Sequence, residues 1–115
     1  MHIAIKRVYE PPGEDGTRIL VDRLWPRGLK KEKLLGIWLK DAGPSTELRK
    51  WFGHDPQKWT EFKKRYFAEL DDHPEVISTI MEFASQGMVT FLYASHEQEY
   101  NQAVALREYV ESKMG

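Results

Sequence analysis

"ILVDRLWPRG", residues 19–28, decides how this chain is read. Ile19, Leu20 and Val21 belong to "TRILVD" (17–22), a short, continuous apolar run. Such a run, bounded by loop residues, is the pattern of a central strand covered on both faces, as in a parallel sheet. Pro26 then biases Trp25 away from helical geometry, so the chain turns at Trp25-Pro26-Arg27-Gly28. Asp22, Arg23, Trp25 and Arg27 therefore stand just past a strand's exit. "MVTFLYAS" (88–95) is a second strongly apolar strand. The two runs are too far apart for a hairpin, so they are expected to lie parallel, joined by a right-handed crossover.

The rest of the chain fills in around this pair. "HIAIKRVY" alternates apolar and polar residues and reads as a strand; "GIWLK" (36–40) reads as a short one. Ser45 caps a helix with Glu47 in its first turn and Leu48, Trp51 and Phe52 as its apolar stripe. Gly53 closes that helix in a left-handed conformation, and Asp55-Pro56 starts the next. Trp59, Phe62, Tyr66, Phe67 and Leu70 recur at helical spacing, and Val76, Ile77, Ile80, Met81 and Ala84 repeat the pattern between Pro74 and Gly87. Ser95-His96-Glu97-Gln98 has the form of a capping box opening a last helix, which turns Ala103, Leu106 and Val110 inward. The order β-loop-β-β-α-α-α-β-α predicts one α/β domain over 1–115. Its architecture is expected to be a small, mostly parallel sheet of three to four strands flanked by about four helices, a Rossmann-like sandwich.

Composition narrows the chemistry. A chain of 115 residues has room for one core. It contains no cysteine, which excludes disulfides, thiol nucleophiles, thiol-bound metals and iron–sulfur clusters. No apolar stretch reaches the ~18–20 residues of a membrane span, and "MHIAIKRVYE" lacks a signal-peptide core. A soluble protein in a reducing cytoplasm, with no membrane partner, is expected. The net charge is −1, so wholesale attraction to nucleic acid is not expected. Residues 1–33 nevertheless hold eight Lys or Arg against five Asp or Glu.

In an open parallel sheet, ligands bind beyond the carboxyl ends of the strands. That rule brings Asp22–Arg27 beside Ser95–Asn101. Arg23 and Arg27 offer bidentate forks suited to phosphate or carboxylate, and Trp25 offers a wall. A helix start near Ser95 and His96 would add backbone N–H groups and a positive dipole end. The site reading is a pocket for an anionic small molecule, with Arg23, Trp25, Arg27, Ser95 and Asn101 as ligand-binding residues. Asp22 and His96 are the candidates for acid–base work, and no cofactor is identified. The alternative is a loop that Asp22 and the arginines merely buttress. Arg49 and His54 are further residues that could reach the pocket. No metal site is expected: His54 and Asp55 are adjacent, and no H-x-x-H spacing occurs. "KWTEFKKR" (58–65) interleaves basic and aromatic residues as single-strand nucleic-acid binders do, but helical periodicity sends Trp59 and Phe62 inward. A nucleic-acid or protein interaction module is the second reading, and a homodimer that buries some of the aromatics is a third.

"KRVYEPPGEDGTRILVDRLWPRG", "WLKDAGPSTELRKWFGHDPQKW" and "VTFLYAS" followed by "EYNQAVAL" closely resemble the YeaO-like proteins, a branch of domain of unknown function family 488. The resemblance covers nearly the whole chain and implies paired loops at two strand ends. It brings no established activity. The wider family looks similar in a strand ending V-D-x-R and a later strand ending C-A-E, followed by C-H-R. Val21-Asp22-Arg23 matches the first loosely. Tyr93 stands where the first cysteine would be, and the region of Asn101 replaces C-H-R. The resemblance therefore carries no thiol-dependent chemistry to this chain. Some relatives are labelled MarR-type regulators, but the α/β order here differs from a winged helix.

Overall fold

The computed structural model describes residues 2–114. Four parallel strands form one sheet: β1 (Ile3–Arg7), β2 (Thr17–Leu20), β3 (Ile37–Trp38) and β4 (Val89–Tyr93), in the order β1-β4-β2-β3. Four α-helices accompany it: α1 (Thr46–Phe52), α2 (Trp59–Asp71), α3 (Pro74–Gln86) and α4 (Gln102–Met114). The small parallel α/β fold expected from the sequence is the one observed.

The two continuous apolar runs are the two inner strands. Every residue of β4 is buried, and Ile19, Leu20 and Val21 are fully so. Register places Ile19 beside Phe91 and Leu20 beside Leu92. Alternation then sorts the side chains between two faces. Ile3, Ile19, Val21, Val89, Phe91 and Tyr93 join one large core with Phe62, Tyr66, Ile80 and Leu106 of the helices. Leu20 and Leu92 point the other way, into a smaller core with Val8 and Leu34 and with Trp25 and Leu29 at its border. A slip of one residue would exchange the two sets, so both cores fix the register.

All four helices share the larger core, so they form a single layer on one face. The second layer is the β2–β3 connection, which contains only a 3-10 turn at Lys31–Lys33. The segment that carries Trp25 thus serves as a lid on the sheet.

Helix ends follow the sequence with one exception. Ser45 Oγ accepts from the Leu48 N–H at 3.2 Å, and Gly53 closes α1 at φ 53°. Asp55 caps a 3-10 turn at Pro56–Lys58, which leads into α2. The exception is α4. Its start lies seven residues beyond Ser95, at Gln102. Asn101 is the cap: its Oδ1 accepts from the Val104 N–H at 3.0 Å, and its Nδ2 donates to the Glu97 carbonyl at 2.8 Å. The Glu97 carboxylate meanwhile accepts from the Glu99 and Tyr100 N–H groups, holding residues 97–100 in a non-helical turn. A local side-chain acceptor competes here with helix formation and wins.

Candidate functional site

The cleft lies where the ends of β2 and β4 meet the start of the helical layer. Asp22, Arg23, Trp25, Arg27, Arg49, Lys50, His54, Ala94, Ser95 and Gln102 are among its lining residues, and its volume is about 430 Å³. Asp22 is its floor. One carboxylate oxygen accepts from the Ala94 N–H at 3.1 Å, and the other accepts from the Gln102 side-chain amide. A residue two positions past β2 is thereby fastened to the end of β4 and to the first turn of α4. Burial pushes the Asp22 carboxyl up to about 6; the two hydrogen bonds, the charge of Arg49 and that of His54 when its ring is protonated offset only part of that cost.

The opening motif divides its labour. Arg23 is turned toward the β3–α1 loop: it donates to the Gly43 carbonyl at 2.9 Å and the Pro44 carbonyl at 3.4 Å, and meets the Asp41 carboxylate at 3.3 Å. This loop presses hard on the strand end, for a Cβ at Gly43 would fall 2.6 Å from the Arg23 nitrogen. Trp25 donates its indole N–H to the Leu29 carbonyl at 2.7 Å and meets the Trp38 ring edge-on at 5.2 Å. Trp38 in turn donates to the Asp22 carbonyl at 2.8 Å. Arg23 and Trp25 thus border the cleft and at the same time brace it. Arg27 is exposed, and its backbone carbonyl accepts from the Tyr9 hydroxyl at 2.7 Å.

The other strand end contributes Ser95, whose carbonyl accepts from Arg7 at 2.9 Å. His96 is exposed and lies outside the cleft lining. Asn101 is fully buried, with its Oδ1 capping α4 and its Nδ2 bonded to the Glu97 carbonyl of the preceding turn. The structure therefore brings together seven of the residues that the sequence singles out, Asp22, Arg23, Trp25, Arg27, Arg49, His54 and Ser95, and leaves His96 and Asn101 apart.

Arg49, Lys50 and His54 enter from α1 and its C-terminal turn. Gly53 and His54 are both left-handed, at φ 53° and 57°. For Gly53 that conformation is easy; for His54 it is uncommon. His54 is held by the Tyr100 carbonyl, 2.9 Å from Nδ1, and packs against Phe52 at 5.5 Å between ring centroids. Among the described residues, no carboxylate pairs with Arg27, Arg49 or Lys50. Nothing local in the sequence marks Gln102, a helix residue that reaches a strand end. No group of three or more His, Cys, Asp or Glu among the described residues is arranged to hold a metal ion.

The basic residues of 58–65 are largely engaged within the chain. Lys58 donates to the Trp51 carbonyl and lies over the Trp51 ring, Lys63 pairs with Glu108, and Arg65 pairs with Glu61. No described helix is long and apolar enough to cross a membrane.

Fold and site together define a small parallel α/β protein with a cation-lined cleft at its strand ends. A family profile described as "Inactive DUF488-N3 subclade" matches residues 2–115. The chain is 42% identical over 114 residues to uncharacterized protein YeaO of Escherichia coli (strain K12), covering 97% of this chain and 99% of that protein. It is 35% identical over 113 residues to uncharacterized protein Rv3073c of Mycobacterium tuberculosis (strain ATCC 25618 / H37Rv), covering 96% and 95%. The chain belongs to the DUF488 family, among its YeaO-like members. No solved structure matches it.

Proposed function

We propose that this protein binds a small phosphate- or carboxylate-bearing molecule in the strand-end cleft, and that it binds without transforming it. The observation that carries this reading is the set of cationic residues Arg27, Arg49 and Lys50, none of them paired with a carboxylate among the described residues, around one cleft. Surface cations commonly find carboxylate neighbours; three that converge without one leave an unbalanced field suited to an anion. Arg23 supports the wall and Arg27 and Arg49 supply the forks. The family description "inactive" supports binding over chemistry.

The test is a thermal-shift titration with inorganic phosphate at low salt. A native-state binder raises the midpoint in proportion to RT ln(1 + [L]/Kd). The wild type is expected to shift, and Arg27→Ala/Arg49→Ala to lose at least about tenfold in affinity while unfolding near the wild-type temperature, since both residues are exposed. Arg23→Ala should instead lower the unfolding temperature, because it releases the Gly43 and Pro44 carbonyls. A wild type that shifts neither with phosphate nor with acetate titrated in the same way, or a double variant that binds the anion as well, contradicts the reading.

A further inference from the structure

The geometry points to a ligand that carries hydroxyl groups beside its anionic group, with His54 Nε2 and the Asp22 carboxylate as their acceptors. This rests on the anion-binding reading and narrows it.

The tautomer of His54 follows from its partner. A backbone carbonyl can only accept, so the 2.9 Å contact with the Tyr100 carbonyl puts the proton on Nδ1. In the neutral ring, Nε2 is then an acceptor. Nε2 has no hydrogen-bond partner among the described residues, and His54 lines the cleft. The uncommon backbone conformation, the Phe52 contact and the Tyr100 bond fix the ring together. A strained residue persists where its surroundings over-determine it, and such residues gather at ligand sites.

Asp22 adds a second acceptor. Each of its oxygens takes one hydrogen bond from the protein and keeps acceptor capacity. The cleft thus offers cations at Arg27 and Arg49 and acceptors at Asp22 and His54. A bare anion would satisfy only the first set and would be repelled by ionised Asp22. A hydroxylated anion satisfies both, because its O–H groups turn that repulsion into hydrogen bonds. The indole of Trp25 borders the same space and suits the C–H face of a polyol. The shared chemistry is a phosphate or carboxylate with hydroxyls one or two carbons away.

Calorimetric titration of the full chain with matched probes tests this. Glycerol 3-phosphate is compared with n-propyl phosphate, and glycerate with propionate. One pair is expected to show at least about tenfold preference for its hydroxylated member, the size of effect expected when a buried acceptor gains or loses its donor. Which pair shows it identifies the anionic group. His54→Gly keeps the left-handed backbone and removes the ring; it should collapse the preference to within about threefold. Equal affinity within both pairs overturns the hydroxyl assignment and leaves the anion reading intact. No binding by any probe overturns both. A preference that survives in His54→Gly removes His54 from the site. The wild-type comparison decides the ligand class even if the variant fails to fold.

Discussion

Asp15 and Asp22 flank β2, two residues before it and two after it, and both carboxyls are withdrawn from water, yet they are handled in opposite ways. Asp15 pairs with Arg18 and, at 3.2 Å, with Lys6. Burial opposes its ionisation, but the Gly13 N–H and these two cations outweigh burial and hold its carboxyl below the ordinary value. Asp22 has hydrogen bonds but no salt bridge among the described residues, and its carboxyl is pushed up to about 6. The cations nearest to Asp22 line open space instead of closing on it. A neutralised carboxylate is a structural fastening. A carboxylate kept costly, with unpaired arginines around it, is the arrangement of a site prepared for something else.

The largest effect should come from the structural partner. Asp15→Ala leaves the Arg18 side chain, only 6% exposed, without its counter-charge. Removing one member of a buried pair costs about 3–5 kcal/mol. Urea unfolding at pH 7 measures it; a loss under about 1 kcal/mol would break the contrast.

Asp22→Asn should act in the reverse direction. The folded carboxyl holds its proton more tightly than the unfolded one, whose value is near 3.8. Its contribution to stability is therefore full below about pH 4 and is lost as pH rises through about 6. Asparagine can still accept from the Ala94 N–H, and Gln102 can turn its amide to meet the new N–H₂ group. The variant should be more stable than wild type by about 2–3 kcal/mol at pH 8, with the gain fading toward pH 4. Urea unfolding at both pH values checks this. A variant less stable at pH 8 would mean that the ionised group is well accommodated, as Asp15 is.

Much of this architecture could be read from local pattern. Two continuous apolar runs identified β2 and β4, and Ser45 and Gly53 bounded α1, because those features depend on neighbours in sequence. The placement of Asp22 and Arg27 at a strand exit followed from the first run. What the chain does not display locally is partner choice. Whether Arg23 faces a ligand or the Gly43 and Pro44 carbonyls depends on how closely the β3–α1 loop approaches. Ser95-x-x-Gln98 and Asn101 are both credible caps, and only the turn held by Glu97 decides between them. The left-handed backbone of His54 and the reach of Gln102 are tertiary facts. The same holds for the single-sided helical layer, since a strand buried on both faces does not reveal that a loop covers one of them.

The two aspartates differ because one is paired and one is left facing a cleft. Carboxyl-carbon NMR titration of the wild type reads both in one experiment. Asp22 is expected to titrate near pH 6 and Asp15 below 3.8. If both titrate together near 4, Asp22 is not held at a cost, and the cleft loses the feature that distinguishes it from a buttressed turn.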